Sequence, residues 1–200
     1  MFGGLTIEYD DHVIEPRPWT TAQSHWAADL LRSTPQGPLL ELCSGAGHIG
    51  LLAVTLSPRP LVQVDLNPVA CACARANATA AKPVEEVRVV EGPMDSVLDP
   101  AERFVGVIAD PPWVPSADTQ RFPEDPLLAI DGGPEGLDLA RCCVLVASRH
   151  LVDGGWVLLQ MGTEEQVAAL QAWLAEPATP RLDVREVRSY GERGVLVLLR

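Results

Sequence analysis

From residue 39 onward, short apolar runs of strand length alternate with longer segments of helical spacing, and no other feature constrains the fold as strongly. LLELC (39–43), LVQVDL (61–66), VEEVRVV (84–90), FVGVIAD (104–110) and GWVLLQM (155–161) are predicted strands, each bounded by turn residues. Helices are expected from the glycine-rich SGAGHIG through about Leu56, from Pro68 to about Ala81, and from Pro134 to about Leu151. Pro68 suits a first helical turn, where its missing N–H would have had no partner. Thr163, with Gln166 three residues on, predicts a capping box for a helix to about Ala175. LDVREVRSY and GVLVLLR, joined through Gly191–Gly194, predict a closing hairpin. Repeated strand–helix alternation implies a mostly parallel α/β sheet with helices on both faces. Ligands of such sheets sit beyond the carboxyl ends of the strands.

Ahead of the alternation, Thr6–Tyr9 and His12–Ile14 flank Asp10–Asp11 and predict a small hairpin. Pro16 and Pro18 break the chain, and Thr20 to Arg32 carries Ala27, Leu30 and Leu31 at helical spacing. Residues 1–33 are thus expected to cover the site of a single domain spanning 1–200. No apolar stretch is long enough to span a bilayer and the N-terminus lacks a signal-peptide pattern, so a cytoplasmic protein is expected. The net charge of −12 disfavours nucleic acid as a partner, because phosphate contacts need Lys and Arg. The five cysteines, Cys43, Cys71, Cys73, Cys142 and Cys143, have no zinc-site spacing, and no metal is expected.

Two motifs fall at strand ends. In ELCSGAGHIG, Gly45, Gly47 and Gly50 follow the G-x-G-x-x-G spacing, and Asp65 ends the next strand. Glycines there let a ligand approach the backbone, and the acid accepts hydrogen bonds from ribose hydroxyls. A dinucleotide and S-adenosylmethionine compete for that geometry. Glu41, beside the turn, repels a pyrophosphate and attracts a methionine ammonium, which favours the methyl donor. The second motif is ADPPWVPS (109–116). Asp110 and the Pro111 carbonyl are placed to accept both hydrogens of a planar –NH2. Proline rings at 111 and 112 stiffen the turn, and Trp113 is placed to stack on a planar amide or base. Catalysis would then come mainly from holding the nitrogen in line with the methyl group.

Together ELCSGAG, VDLNPVACACARANA and FVGVIADPPWVP resemble the class I S-adenosylmethionine-dependent N-methyltransferases, and more narrowly the HemK/PrmC group, which methylates the glutamine amide of release factors. HVIEPRPWT (12–20) and LLAIDGGPEGLD (127–138) resemble further stretches of that group. The resemblance implies a Rossmann-like, seven-stranded sheet ending in an antiparallel hairpin. It assigns Cys43, Ser44, Gly45, Ala46 and Gly47 to the methionine part of the cofactor. Asp65 with Leu66 would meet the ribose, and Met94 or Asp95 the adenine. Asp110, Pro111, Pro112 and Trp113 would hold the substrate nitrogen, with Arg17 and Thr20 helping to close the site.

This chain departs from the group at identifiable points. Asp110 stands where the group has Asn, and Trp113 where it has Tyr. An ionised Asp only accepts hydrogen bonds, which also suits adenine N6 or a small-molecule amine. Trp19–Thr20 replaces the group's Glu–Thr, and EGPMDSV departs from its spacing. The resemblance covers the catalytic domain alone, as in eukaryotic and archaeal versions that often work with a small activating partner protein. A protein side chain is the leading acceptor, and a cofactor-binding scaffold without activity is the reading from another class.

Overall fold

A computed structural model describes residues 1–200. In chain order it forms α1 (Thr21–Arg32), β1 (Leu39–Leu42), α2 (His48–Leu56), β2 (Leu61–Asp65), α3 (Pro68–Ala81), β3 (Val87–Glu91) and β4 (Phe104–Ala109). There follow α4 (Leu127–Ile130), α5 (Asp138–His150), β5 (Leu151–Met161), α6 (Glu164–Leu174), β6 (Val184–Ser189) and β7 (Val195–Leu199). All seven strands join one sheet in the order β3-β2-β1-β4-β5-β7-β6. The first five are parallel, and β7 runs antiparallel to both β5 and β6. The expected α/β sheet and closing hairpin are therefore present.

Strand alternation sorts the side chains onto two faces. One face packs against α5 and α6 through Leu40, Leu42, Val107, Ala109, Val157 and Leu159, which meet Ala140, Val144, Val167 and Leu170. The opposite face meets α1 and α2 through Leu39, Leu61, Ile108 and Leu158, against Trp26, Leu31, Ile49 and Leu52. Helix α6 starts with the predicted capping box: Thr163 Oγ1 accepts from Gln166 N, and Gln166 Oε1 accepts from Thr163 N. Asn67 caps α3 by accepting from Val69 N at 2.9 Å.

Three expectations need correction. The hairpin expected over residues 6–14 does not form; only Phe2 and Leu5 bridge near the N-terminus. Its backbone groups go to side chains instead. Asn77 accepts from Glu8 N and donates to Glu8 O, both at 2.8 Å, and Asn67 Nδ2 donates to His12 O at 3.0 Å. These amides hold the segment across α3 as a strap, with Val13 packed on Ala46 and Ala70. Helix α5 starts at Asp138 rather than Pro134, because Gly133–Gly136 forms a turn (Gly136 N to Gly133 O, 3.0 Å). Strand β5 starts at Leu151, four residues ahead of the expected Gly155, and a register shift against β4 absorbs the extra length.

Candidate active site

The sheet register builds the site. Val64, Leu42, Ala109 and Leu159 lie side by side across β2, β1, β4 and β5. The next residues, Asp65, Cys43, Asp110 and Gln160, therefore form a row along the carboxyl edge.

Cys43 leaves the edge with φ +54°, in the left-handed region that favours glycine, and turns the chain into the loop. Gly45 (φ +52°) and Gly47 (φ +77°) complete the turn. Gly45 N donates to Asp65 Oδ2 at 2.7 Å, and Asn67 N donates to Oδ1 at 2.8 Å. Each Asp65 oxygen keeps a further lone pair, so the carboxylate both fixes the loop and stays able to accept a hydroxyl. Ser44 is buried and its Oγ has no partner. Ala46 is buried under the strap, and its carbonyl accepts from Asn77 Nδ2 at 3.0 Å. Leu66 stands exposed next to Asp65. Asp95 is exposed on the turn after β3, while Met94 packs inward against Cys143, with Sγ and Sδ 3.6 Å apart.

Glu41 does a different job from the one expected of it. It is 2% exposed, accepts from Gly50 N at 2.8 Å through Oε1, and accepts from Gln63 Nε2 at 2.7 Å through Oε2. Gln63, itself fully buried, also donates to Gly47 O at 2.8 Å. Glu41 thus ties the loop to the sheet from beneath, each oxygen holding one protein donor in a site closed to solvent. Burial pushes its carboxyl up to about 7, against the lowering effect of its two donors.

Asp110 follows β4 with no side-chain hydrogen bond of its own. Burial, reinforced by Glu41, raises its carboxyl to about 7. Gln23, from α1, donates through Nε2 to the carbonyls of Ala109 and Leu158, both at 3.0 Å, and so fixes the strand ends on which Asp110 stands. Pro111 is buried, while Pro112 and Trp113 are partly exposed. Gln166 Nε2 holds the Trp113 carbonyl at 2.8 Å, and a Cβ at Gly132 would press on the Pro112 carbonyl at 2.6 Å.

A cavity of about 330 Å³ opens at Asp110. Arg17, Thr20, Asp110, Pro111 and Trp113, predicted on separate grounds, all line it, together with Trp19, Phe122, Ile130 and Arg193. Arg17 crosses its rim to Asp125 at 2.6 Å. Thr20 is buried, and its hydroxyl donates to Arg17 O at 2.8 Å, which closes the turn before α1. Sequence reasoning missed the two buried polar side chains of the lining with no partner, His48 and Gln160. It also missed Gln23 and Gln63, which support the site from below. Gln63 and Gln160 carried a legible signal, a polar residue inside an apolar strand run, the same signal that singled out Glu41.

A seven-stranded sheet with a reversed last strand and a glycine-cornered loop after β1 defines the class I methyltransferase fold. A family model, the methyltransferase small domain, matches residues 24–162, and this chain belongs to that family. Among curated relatives, the release factor glutamine methyltransferase of Deinococcus radiodurans is 33% identical over 165 residues, which are 80% of this chain and 58% of that protein. The ribosomal protein uL3 glutamine methyltransferase of Burkholderia pseudomallei is 32% identical, over 80% of this chain and 57% of its own length. The chain thus spans somewhat over half the length of these relatives. Among solved structures, a ribosomal protein L11 methylase from Lactobacillus delbrueckii subsp. bulgaricus superposes with TM-score 0.70 at 12% identity, over 97% of this chain and 84% of that one. The N-terminal domain of human METTL16 in complex with SAH gives TM-score 0.70 at 18% identity, over 98% and 75%. At those identities the two structures speak for the fold alone. No helix is long and apolar enough to cross a membrane.

Proposed function

We propose that this domain is an S-adenosylmethionine-dependent N-methyltransferase whose acceptor is the side-chain amide of a protein glutamine. The observation that carries the reading is the adjacency of Cys43 and Asp110 at the ends of paired strands, between a glycine-cornered loop and a partly open cavity. The curated relatives, whose names specify glutamine in a release factor or a ribosomal protein, support the same acceptor.

The residues fit the cofactor. Gly45 leaves its outer side open, since a Cβ there would touch only Val13 at 4.0 Å. Asp65 would accept from the ribose hydroxyls, and the backbone of Cys43 to Gly47 would hold the methionine part, with Ser44 Oγ free to bond. Leu66 would pack on the ribose side, and Met94 or Asp95, on the turn after β3, would meet the adenine. When bound, the cofactor supplies an electrophilic methyl group. Asp110 and the Pro111 carbonyl accept the two N–H groups of the acceptor and orient its nitrogen for in-line attack. The nitrogen leaves that step with an extra proton, and the Asp110 carboxylate is the nearest group able to take it. Trp113 covers the plane of the amide, and the Arg17–Asp125 pair narrows the mouth against water.

One observation favours a second reading, an amino-group acceptor such as adenine N6 or a small amine: position 110 is a carboxyl, which when ionised donates nothing. Incubating the protein with methyl-labelled cofactor and a purified release factor, a ribosomal protein uL3, an adenine-bearing oligonucleotide or a polyamine separates the two. Label on a glutamine, located by mass spectrometry, is expected. Label confined to the oligonucleotide or polyamine overturns the acceptor. Absence of both labelling and calorimetric binding of S-adenosylhomocysteine overturns the enzyme reading.

A further inference from the structure

Two side chains of the cavity beside Asp110 have no partner in the protein. His48, the first residue of α2, is 6% exposed, and its Nδ1 makes no hydrogen bond. Gln160, near the end of β5, is 4% exposed, and its Oε1 is equally unpartnered. Both line the cavity. Buried polar atoms are almost always satisfied, and those that are not call for a ligand or another specific reason.

Their placement is not accidental packing. Gln160 follows Leu159, which pairs with Ala109, so it stands next to Asp110 on the neighbouring strand. Alternation points both toward the α1/α2 face, like Ile108 and Leu158. The His48 ring is fixed by the edge of Phe2, with centroids 4.7 Å apart at 89°. Burial lowers its pKa to about 4, so it is a neutral imidazole with one N–H and one lone pair. Gln160 likewise offers a donor and an acceptor without charge. Neither group is used by the cofactor loop or by the Asp110–Pro111 pair.

We propose that His48 and Gln160 bind the acceptor's carbonyl end, selecting a neutral carboxamide over an amine. This rests on the reading of the cavity as the acceptor site. A carboxamide has two N–H groups and one carbonyl oxygen. Asp110 and Pro111 take the N–H groups, which leaves the oxygen without a donor. The N–H of His48 or of Gln160 supplies it. An amine has no oxygen to offer, so on its entry the N–H that would meet the carbonyl stays unpaired. That asymmetry is what makes a hydrogen-bonding wall selective.

Gln160→Met keeps length and volume without hydrogen bonding, and His48→Phe keeps the ring against Phe2. For wild type and both variants, kcat and KM are measured with the glutamine-bearing protein acceptor, and the affinity for S-adenosylhomocysteine by calorimetry. A fall of roughly tenfold or more in kcat/KM for each variant is expected. Affinity for S-adenosylhomocysteine should stay within about twofold, because neither side chain belongs to the loop. Should one variant fail to bind S-adenosylhomocysteine, the other decides. A wild type active on glutamine with variants equally active overturns this inference and leaves the proposed function standing. A wild type that methylates an amine and ignores glutamine overturns both.

Discussion

The two faces of the sheet share the same strands and differ in what they bury. Against α5 and α6, the alternate residues of β1, β2, β4, β5 and β7 make an unbroken apolar layer. Against α1 and α2, the layer is apolar only at its amino-terminal half. Toward the carboxyl edge it turns polar, with Gln23, Ser24, Glu41, His48, Gln63 and Gln160 all buried. The first face supplies stability that no ligand alters. The second carries groups whose desolvation disfavours the folded state unless they are bonded, and the site is built from them. Within that polar edge a second contrast holds. The cofactor loop is pinned by the protein's own bonds, through Asp65, Glu41 and Gln63. The cavity beside Asp110 leaves His48 and Gln160 without partners and is drawn from six separate stretches of chain.

The strongest way to break this contrast is to disturb the pinned loop. Gly47 has φ +77°, and an added Cβ would meet Gln63 Nε2 at 2.6 Å, the group that also holds Glu41. Gly47→Ala is expected to weaken S-adenosylhomocysteine binding on the order of a hundredfold, through left-handed strain and displacement of Gln63, with calorimetry as the measure. An unchanged affinity means the loop is not the cofactor cradle.

Of the same order is a pH effect from the same polar edge. The Glu41 carboxyl moves from an ordinary 4.5 to about 7 on folding. Between those values the folded chain keeps a proton that the unfolded chain has lost, so stability falls as pH rises through the window and levels off above it. Glu41→Gln removes that decline, worth about 3 kcal/mol across the window, in denaturant titrations at pH 5 and pH 8. Asp110 has a raised carboxyl of its own, so the slope is reduced rather than abolished. The unpartnered Gln63 Oε1 allows its amide to turn and meet the new N–H2. Methyl transfer that needs the Asp110 carboxylate is expected to rise as pH passes about 7, and since Glu41 helps raise Asp110, the same variant is expected to shift that rise to lower pH. A slope equal to wild type's would sink this account of Glu41.

The smallest effect is expected at the rim. Arg17→Ala removes the pair with Asp125, whose partners are 41% and 11% exposed in their side chains. KM for the acceptor should rise roughly two- to fivefold, with cofactor affinity unchanged, as for a partly solvated ion pair. A change in cofactor affinity instead of KM would tie the rim to the loop and erase the contrast drawn above.

Much of the pinned half was legible before any coordinates. Gly45, Gly47, Asp65 and Asp110 announced themselves because a tight turn, a strand end and an acid at fixed spacing are local facts. Glu41 was noticed correctly as a charge inside an apolar run, yet its direction was misread. Spacing tells that an acid is buried, and only the sheet register tells that Gly50 and Gln63 donate to it. Nothing adjacent in sequence pairs with His48, so its place beside Asp110 is not legible there. Gln23 lies 86 residues from the Ala109 carbonyl it holds. The strap over residues 6–14 imitated a hairpin because alternating apolar residues flank two aspartates. Asn67 and Asn77, far along the chain, took its backbone groups instead.

The sequence by itself determined the alternation, and with it the parallel sheet, the reversed last strand and the edge at which the candidate site lies. Those follow from short-range periodicity and turn chemistry, which each segment carries alone. The tertiary structure decided which polar atoms are spent within the protein and which are left for a ligand. Burial and hydrogen-bond pairing are sums over groups far apart in the chain, and they exist only once the strands lie side by side.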